Sequence, residues 1–165
     1  MKNLEKTLLA FCQLFPNKHL LSKARLTKMV YLADWEYAKK YKKQITDIQW
    51  YFHNYGPFVD DVFEAALNSS YLNIINSINM YGDEKTIINL SGKPFNIQIE
   101  DNIYNIIEDV IYSTKDLNWN EFIGYVYDTF PIKQQDRYID LDLIELANQY
   151  EESLKDNYPL DLLGI

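Results

Sequence analysis

Met29-Val30-Tyr31-Leu32-Ala33-Asp34-Trp35 holds a single carboxylate inside an otherwise apolar run. The residues on either side set its secondary structure. Ser22 is placed to accept a hydrogen bond from an amide in a first helical turn. Behind it, Leu26, Met29, Val30, Ala33, Tyr37 and Tyr41 recur within a narrow helical stripe. The pattern predicts a helix over about 23–42, with Lys39, Lys40, Lys42 and Lys43 near its negative C-terminal end. Asp34 falls roughly 80° from the centre of that stripe at 3.6 residues per turn. A carboxylate so close to a core must be hydrogen-bonded or paired, or it takes up a proton. The partners expected for it are backbone amides of the Tyr55-Gly56-Pro57 turn, which it would use to fix the approach of the next helix. Direct contact with another molecule is the alternative.

Upstream, Leu4, Leu8, Phe11, Cys12 and Phe15 make one helical stripe, ended by Pro16-Asn17. Downstream, Ile45 to His53 mixes β-branched and aromatic residues without a helical period and reads as extended. In Tyr55-Gly56-Pro57-Phe58, Gly56 permits an unusual backbone angle and Pro57 suits the first position of a helix. That helix would bury Phe58, Val59, Val62, Phe63, Ala66 and Leu67 and stop at Asn68-Ser69-Ser70. Residues 71–90 form two Ile- and Asn-rich runs around Tyr81-Gly82-Asp83-Glu84, the pattern of a hairpin. After Pro94, one helix carries Ile99, Ile103, Ile106, Ile107 and Val110. The next carries Trp119, Phe122, Ile123, Val126, Tyr127 and Phe130, cut by Pro131, and a last spans about 140–156. About six amphipathic helices and one small β hairpin around a shared core make a mainly α (α+β) single domain over 1–165.

Composition supports that architecture and removes several functions. With 165 residues, 47% of them hydrophobic, and 14 Tyr, 8 Phe and 3 Trp, the chain can fill a core, which excludes disorder. No apolar run reaches membrane-spanning length and the N-terminus does not read as a signal peptide, so the expected location is cytoplasmic, with no membrane partner. The net charge of −8 hides an asymmetry: residues 1–45 carry ten Lys or Arg against three acids, and the remainder carries six against 21. Folding of the basic helices against the acidic body would balance most of this. A basic surface patch for phosphates is the competing reading.

A search for reactive chemistry assigns none. Cys12 sits on an apolar stripe, where a thiol acts as a small hydrophobe. His19 reads as a loop residue and His53, flanked by aromatics, as a hydrogen-bonded structural histidine. One cysteine and two histidines cannot supply a structural zinc site. No glycine-rich phosphate loop, Gly-x-Ser-x-Gly or His-Glu-x-x-His occurs. Neighbouring acids such as Glu100-Asp101 and Glu108-Asp109 point about 100° apart on a helix and do not converge on one atom. No catalytic residue, cofactor or metal is therefore assigned, and the expected protein is not an enzyme.

Leu26-Thr27-Lys28-Met29-Val30-Tyr31-Leu32-Ala33-Asp34-Trp35, then Tyr41, Ile45-Thr46, Trp50 and Tyr55-Gly56-Pro57-Phe58 with Val62, resembles the Panacea domain. This is the SocA-like antitoxin family, often described as phage-associated. The resemblance covers about 23–130 and is densest over 26–62. Phe58 stands where the family often has a smaller aliphatic residue, and the segment after Pro131 follows no family pattern. The resemblance implies an antitoxin of a bacterial or phage toxin–antitoxin system that neutralises a cognate protein toxin, encoded nearby, by direct contact. Some members deliver the toxin to a cellular protease, which makes a protease a second implied partner. The motif residues are Lys28, Tyr31, Asp34, Trp50, Tyr55, Gly56 and Pro57, read mainly as architecture and provisionally as toxin contacts.

Other readings remain alongside it. A nucleic-acid-binding transcriptional regulator would use the basic N-terminal region, although Pro16 to Leu21 is not the short glycine-containing turn of a helix-turn-helix. A small enzyme would place His53 and Asp34 in its site. If the toxin's own site is basic, the acidic faces around Glu100-Asp101 and Glu108-Asp109 would occupy it as a phosphate mimic. The C-terminal Tyr158-Pro159-Leu160-Asp161-Leu162-Leu163-Gly164-Ile165 either packs on its own domain or serves as a recognition tail.

Overall fold

The helix that carries Asp34 is enclosed by protein on every side. In the computed structural model, which describes residues 1–78 and 80–156, α1 (Asn3–Leu14) and a 3-10 turn (Lys18–Leu20) lead into this helix, α2 (Lys23–Tyr41). β1 (Trp50–His53) and β2 (Gly56–Pro57) precede α3 (Asp61–Asn68), and a hairpin of β3 (Leu72–Ile78) and β4 (Glu84–Leu90) follows. The chain continues through α4 (Asp101–Thr114), α5 (Trp119–Tyr127), α6 (Phe130–Gln134), β5 (Asp140–Leu141) and α7 (Leu143–Asp156). The described residues thus form a mainly helical fold with seven α-helices and two small antiparallel sheets, against about six helices and one hairpin expected. The C-terminal tail over 158–165 lies outside the described residues.

Local chemistry starts and stops α2 where the sequence predicts. Ser22 Oγ accepts from the Arg25 amide at 3.1 Å, and Lys42 ends the helix in the left-handed region with φ 55°. Every residue from Arg25 to Trp35 is buried. The expected single stripe understates this, because α1, α3, α4, α7 and β4 all pack around the helix. A helix buried all round must satisfy its polar side chains internally. Thr27 Oγ1 does so by donating to its own helix, at Lys23 O, 2.7 Å. Tyr41, placed on the stripe by periodicity, is exposed.

Arg25 shows what the buried polar face does. It is 1% exposed, and its Nη2 donates to the carbonyls of Thr114 (2.8 Å) and Leu117 (3.1 Å) at the end of α4. The Thr114 carbonyl carries the partial negative charge of the α4 C-terminus and the Leu117 carbonyl belongs to the turn after it, so the guanidinium ties the helix end to that turn. Its plane also lies 4.4 Å from the centre of the Phe122 ring. The Nε finds no partner, and burial lowers the affinity of the group for its proton. Because Met keeps the packing and removes a desolvated charge, Arg25→Met is expected to cost only about 1–2 kcal/mol. Chemical denaturation measures this, and a loss above about 4 kcal/mol would show that the carbonyl bonds dominate.

Two expectations about proline are corrected. Pro57 does not open a helix: Gly56-Pro57 is a two-residue edge strand paired with β1 (His53 with Gly56, Phe52 with Pro57), and α3 starts at Asp61. An edge strand tolerates proline because its missing N–H faces no partner. Pro131 does not cut a helix either. α5 has already ended at Tyr127, and Pro131 sits in the first turn of α6, where no amide hydrogen bond is needed. β1 pairs on its other side with β5, Trp50 opposite Leu141, giving the order β2-β1-β5. The β3–β4 hairpin runs in unbroken register from Leu72 opposite Leu90 to Ile78 opposite Glu84. It docks through the buried Ile88, whose amide donates to Leu21 O at 3.0 Å.

Candidate functional site

The motif residues separate into two structural groups around α2. The first is centred on Asp34, which is fully buried. Its Oδ1 accepts from the backbone amides of Ile45 (2.9 Å) and Thr46 (3.0 Å). Its Oδ2 accepts from Thr46 Oγ1 (2.5 Å) and Trp50 Nε1 (2.9 Å), with Gln44 Nε2 at the limit of 3.4 Å. The expected partner is therefore corrected: Asp34 holds the Ile45-Thr46 segment and Trp50, not the Tyr55-Gly56-Pro57 turn. The reason is reach, because the segment directly after the helix folds back over its last turns, whereas the later turn lies beside Lys28. Burial lifts the Asp34 carboxyl to about 6, with the hydrogen bonds from Thr46, Trp50 and Ile45 pulling it back down. At neutral pH it is ionised and fully engaged, so it is not available to a partner. Trp50 in turn meets the Tyr31 ring edge-on at 5.6 Å, and the Tyr31 hydroxyl pairs with Thr129 Oγ1 at 2.8 Å. Asp34, Trp50 and Tyr31 thus form one internal scaffold joining α2 to β1 and the start of α6.

The second group lines a cleft of about 500 Å³ at the other end of α2. Its floor is Lys28, with Ala24 beside it. One rim is the turn between β1 and β2, with His53 and Tyr55, and the opposite wall is α5, with Trp119, Ile123 and Tyr127. Phe58 closes the back, which gives the larger side chain at this motif position a role as a wall. Tyr55 is 81% and Trp119 45% exposed, so aromatic surface stands open at the mouth. Gly56 makes the turn possible. Its φ of 102° disfavours any side chain, and a Cβ there would sit 3.4 Å from the Tyr127 ring and 3.7 Å from Lys28 Cε. Pro57 is buried beneath the turn and has no face to offer.

Lys28 is the unusual member. Only 2% of the residue is exposed, and among the described residues its amine has no hydrogen-bond or ion-pair partner; the amine opens onto the cleft, unlike Arg25 Nε, which is sealed in the interior. Its nearest recorded electronic contact is the Phe58 ring, with the centroid 5.9 Å from Nζ. Burial lowers its pKa from 10.5 to about 8, so it remains mostly protonated at neutral pH. Among the described residues no carboxylate lines the cleft, and its ionisable members are Lys28, His53, Tyr55 and Tyr127.

Residues that sequence reasoning left out complete the wall. Arg137 Nε donates to Asn54 O (3.1 Å), its Nη2 donates to the Tyr127 hydroxyl (3.3 Å), and the Tyr138 hydroxyl donates to Asn54 Oδ1. The Tyr138 amide also donates to Phe52 O at 2.6 Å, from a backbone with φ 68°. Together they pin the His53-Asn54-Tyr55 rim. No local sequence signal marks these contacts, of which those to Phe52 and Asn54 span more than 80 residues. Trp119 was legible only as a packing residue, although the Asn118–Glu121 capping box fixes it at the first turn of α5, where a side chain is free to face outwards.

The remaining candidates take bland places. Cys12 is buried and burial pushes its thiol up to about 12, which leaves no thiolate. His53 is exposed and its Nδ1 accepts from the Asn54 amide at 2.8 Å, far from the buried Asp34 hub, so the two do not form a site. Half of the basic residues of the N-terminal region are buried or paired within the fold, while Lys2, Lys40 and Lys43 stay exposed. Arg25 and Lys28 are buried, Lys18 caps α1 at Cys12 O and Gln13 O, and Lys39 and Lys42 pair with Glu36 and Glu151. Among the described residues no group of three or more His, Cys, Asp or Glu could hold a metal ion, and no helix is long and apolar enough to cross a membrane.

A motif helix anchored through a buried carboxylate, with a Tyr-Gly-Pro turn folded beside it and a cleft between, defines a helical domain organised around one motif. The chain belongs to the family described as Antitoxin SocA-like, Panacea domain, whose model matches residues 26–131. That family is associated with antitoxin-like function. The match contains all seven motif residues and the cleft lining apart from Ala24; the brace from Arg137 and Tyr138 lies beyond it. No curated protein and no solved structure matches the chain.

Proposed function

We propose that this chain is the antitoxin of a bacterial or phage toxin–antitoxin system and neutralises a cognate protein toxin by direct protein–protein contact. One observation carries the reading beyond family membership: the motif builds a cleft whose aromatic rim is open and whose Lys28 amine finds no hydrogen-bond or ion-pair partner among the described residues. Exposed Tyr and Trp beside a desolvated charge are the composition of an interaction hot spot. The same motif's other half, Asp34 with Trp50 and Tyr31, is fully used in holding the fold. Recognition and scaffold are thereby divided along one helix. The toxin is encoded near the antitoxin, both act in the cytoplasm, and neutralisation proceeds by occlusion, with delivery to a protease as a further step in the same contact.

The test is growth under induced expression of the neighbouring open reading frame, with and without this chain. Toxicity of the neighbour alone, rescue by the chain and recovery of a stable complex from purified components support the proposal. Rescue without a complex, accompanied by loss of the neighbour's transcript, would replace it with repression. Reversing Glu100, Asp101, Glu108 and Asp109 to lysine separates a second route. These residues are exposed on or beside α4, far from the cleft, and reduced rescue by this variant at unchanged stability would move the contact to the acidic face.

A further inference from the structure

We propose that the cleft over Lys28 docks an acidic segment of the partner protein. One Asp or Glu carboxylate meets the Lys28 amine, and the neighbouring apolar side chain lies among Phe58, Trp119 and Tyr127. This deepens the antitoxin reading and rests on it for the statement that the partner is a protein toxin.

Charge complementarity selects the occupant. The chain as a whole carries −8, yet this cleft contains a buried cation and no carboxylate. A buried ammonium without a counter-charge is unfavourable, so the site gains most from a ligand that supplies one. The lining around the amine is mainly aromatic and aliphatic, which favours an apolar group attached to the anion over a bare, strongly hydrated phosphate.

Shape selects a chain segment over a small molecule. A second depression of about 720 Å³ adjoins the cleft, sharing Ala24, Phe58 and Trp119 with it and running to the hairpin turn. Lys23, Lys85 and the buried Arg25 line this extension together with Asp83 and Glu84. The two depressions together offer more room than a single side chain fills. Lys23 Nζ stands 5.8 Å from the centre of the Phe58 ring, which lines both of them, so its charge is held close to the shared wall.

The probes are two capped pentapeptides, acetyl-Gly-Phe-Glu-Leu-Gly-amide and the same sequence with Gln in place of Glu. They are titrated into the full chain while the amide and indole resonances are followed by NMR. The expected result is saturable shifts at Tyr55, Gly56 and the Trp119 indole, with the Glu peptide at least tenfold tighter than the Gln peptide. Lys28→Met, which keeps the length of the side chain, should abolish that preference while leaving the fold's spectrum otherwise intact. Equal binding of the two peptides, a preference that survives Lys28→Met, or shifts confined to another face would each overturn the proposal. So would 4-phenylbutyrate binding more tightly than the Glu peptide, which would reassign the cleft to a small carboxylate. The growth assay keeps the two proposals apart. Rescue by wild type and equally by Lys28→Met would sink the docking site and spare the antitoxin. Failure of wild type to rescue would sink the antitoxin and leave the peptide result standing.

Discussion

Asp34→Ala is expected to lower the unfolding free energy by about 3–5 kcal/mol, the largest single loss in the molecule outside the apolar core. The substitution removes the acceptor for two backbone amides, a hydroxyl and an indole N–H, all at 2.5–3.0 Å and all buried. Each buried donor left without an acceptor costs about 1–3 kcal/mol, and water entering the small space left by the carboxylate recovers only part of this. Asp34→Asn gives a more specific result. The amide oxygen can still accept from Ile45 and Thr46, but its NH₂ then faces the Trp50 N–H, donor against donor. A loss of about 2 kcal/mol is expected, and adding Trp50→Phe to that variant should cost less than Trp50→Phe alone, because the second change removes the conflict. Urea unfolding followed by circular dichroism reads all four proteins. An unchanged transition for Asp34→Ala would remove the hub from the account of the fold.

The hub also shows how far the sequence could be read. An isolated acid within Met29–Trp35 announces a buried, satisfied carboxylate, because the chemistry of burial leaves no other stable outcome. Which donors satisfy it is a matter of chain path. The segment from Lys42 to Gln49 has no period and no turn motif, so nothing in it shows that Ile45 and Thr46 fold back over α2. The helices and the long hairpin were legible because their apolar spacing repeats over several turns or residue pairs. β2 and β5 are two residues each, too short to carry any period, so the three-stranded sheet they make with β1 was not. Pro57 and Pro131 misled for the same reason: proline limits its own backbone but does not say whether a strand or a helix follows.

The cleft is a different case. Its members were visible one at a time, as a lysine in the motif, an aromatic turn and a helix with Trp119, and periodicity assigned each of them to packing. What makes them a site is the combination of a buried amine with no partner and aromatic surface left open above it. Neither property belongs to a residue alone. Both arise where α2, the β1–β2 turn and α5 meet, and the brace from Arg137 and Tyr138 comes from beyond the family match. The rim itself lies within the family match, and the residues that brace it lie outside.

Lys28→Met should make the protein more stable and a worse binder, and this opposition of signs is the strongest evidence the cleft can offer for a functional lysine. In the folded chain burial holds the amine at about 8, whereas in the unfolded chain it keeps its proton to about the ordinary 10.5. Between those values the unfolded state binds more protons, so wild-type stability rises with pH across the window, and below it the full cost of burying the charge is present. Methionine fills the same space without a charge and forfeits no hydrogen bond. After allowance for solvent reaching the amine through the open cleft, a gain of about 2–3 kcal/mol at pH 7 is expected. The gain should shrink steadily from pH 8 and be small by pH 10.5. His53, Tyr55 and Tyr127 face the amine in both proteins, so the difference between their stability curves isolates Lys28. A variant no more stable than wild type at pH 7 would mean that the amine is already satisfied within the fold, and the argument for an external carboxylate would lose its physical basis. A variant that is more stable and still neutralises the toxin would leave the lysine without a reason. Stability gained together with neutralisation lost is the result that a docking site requires, because a charge that costs the free fold stability is then offset by the carboxylate it binds.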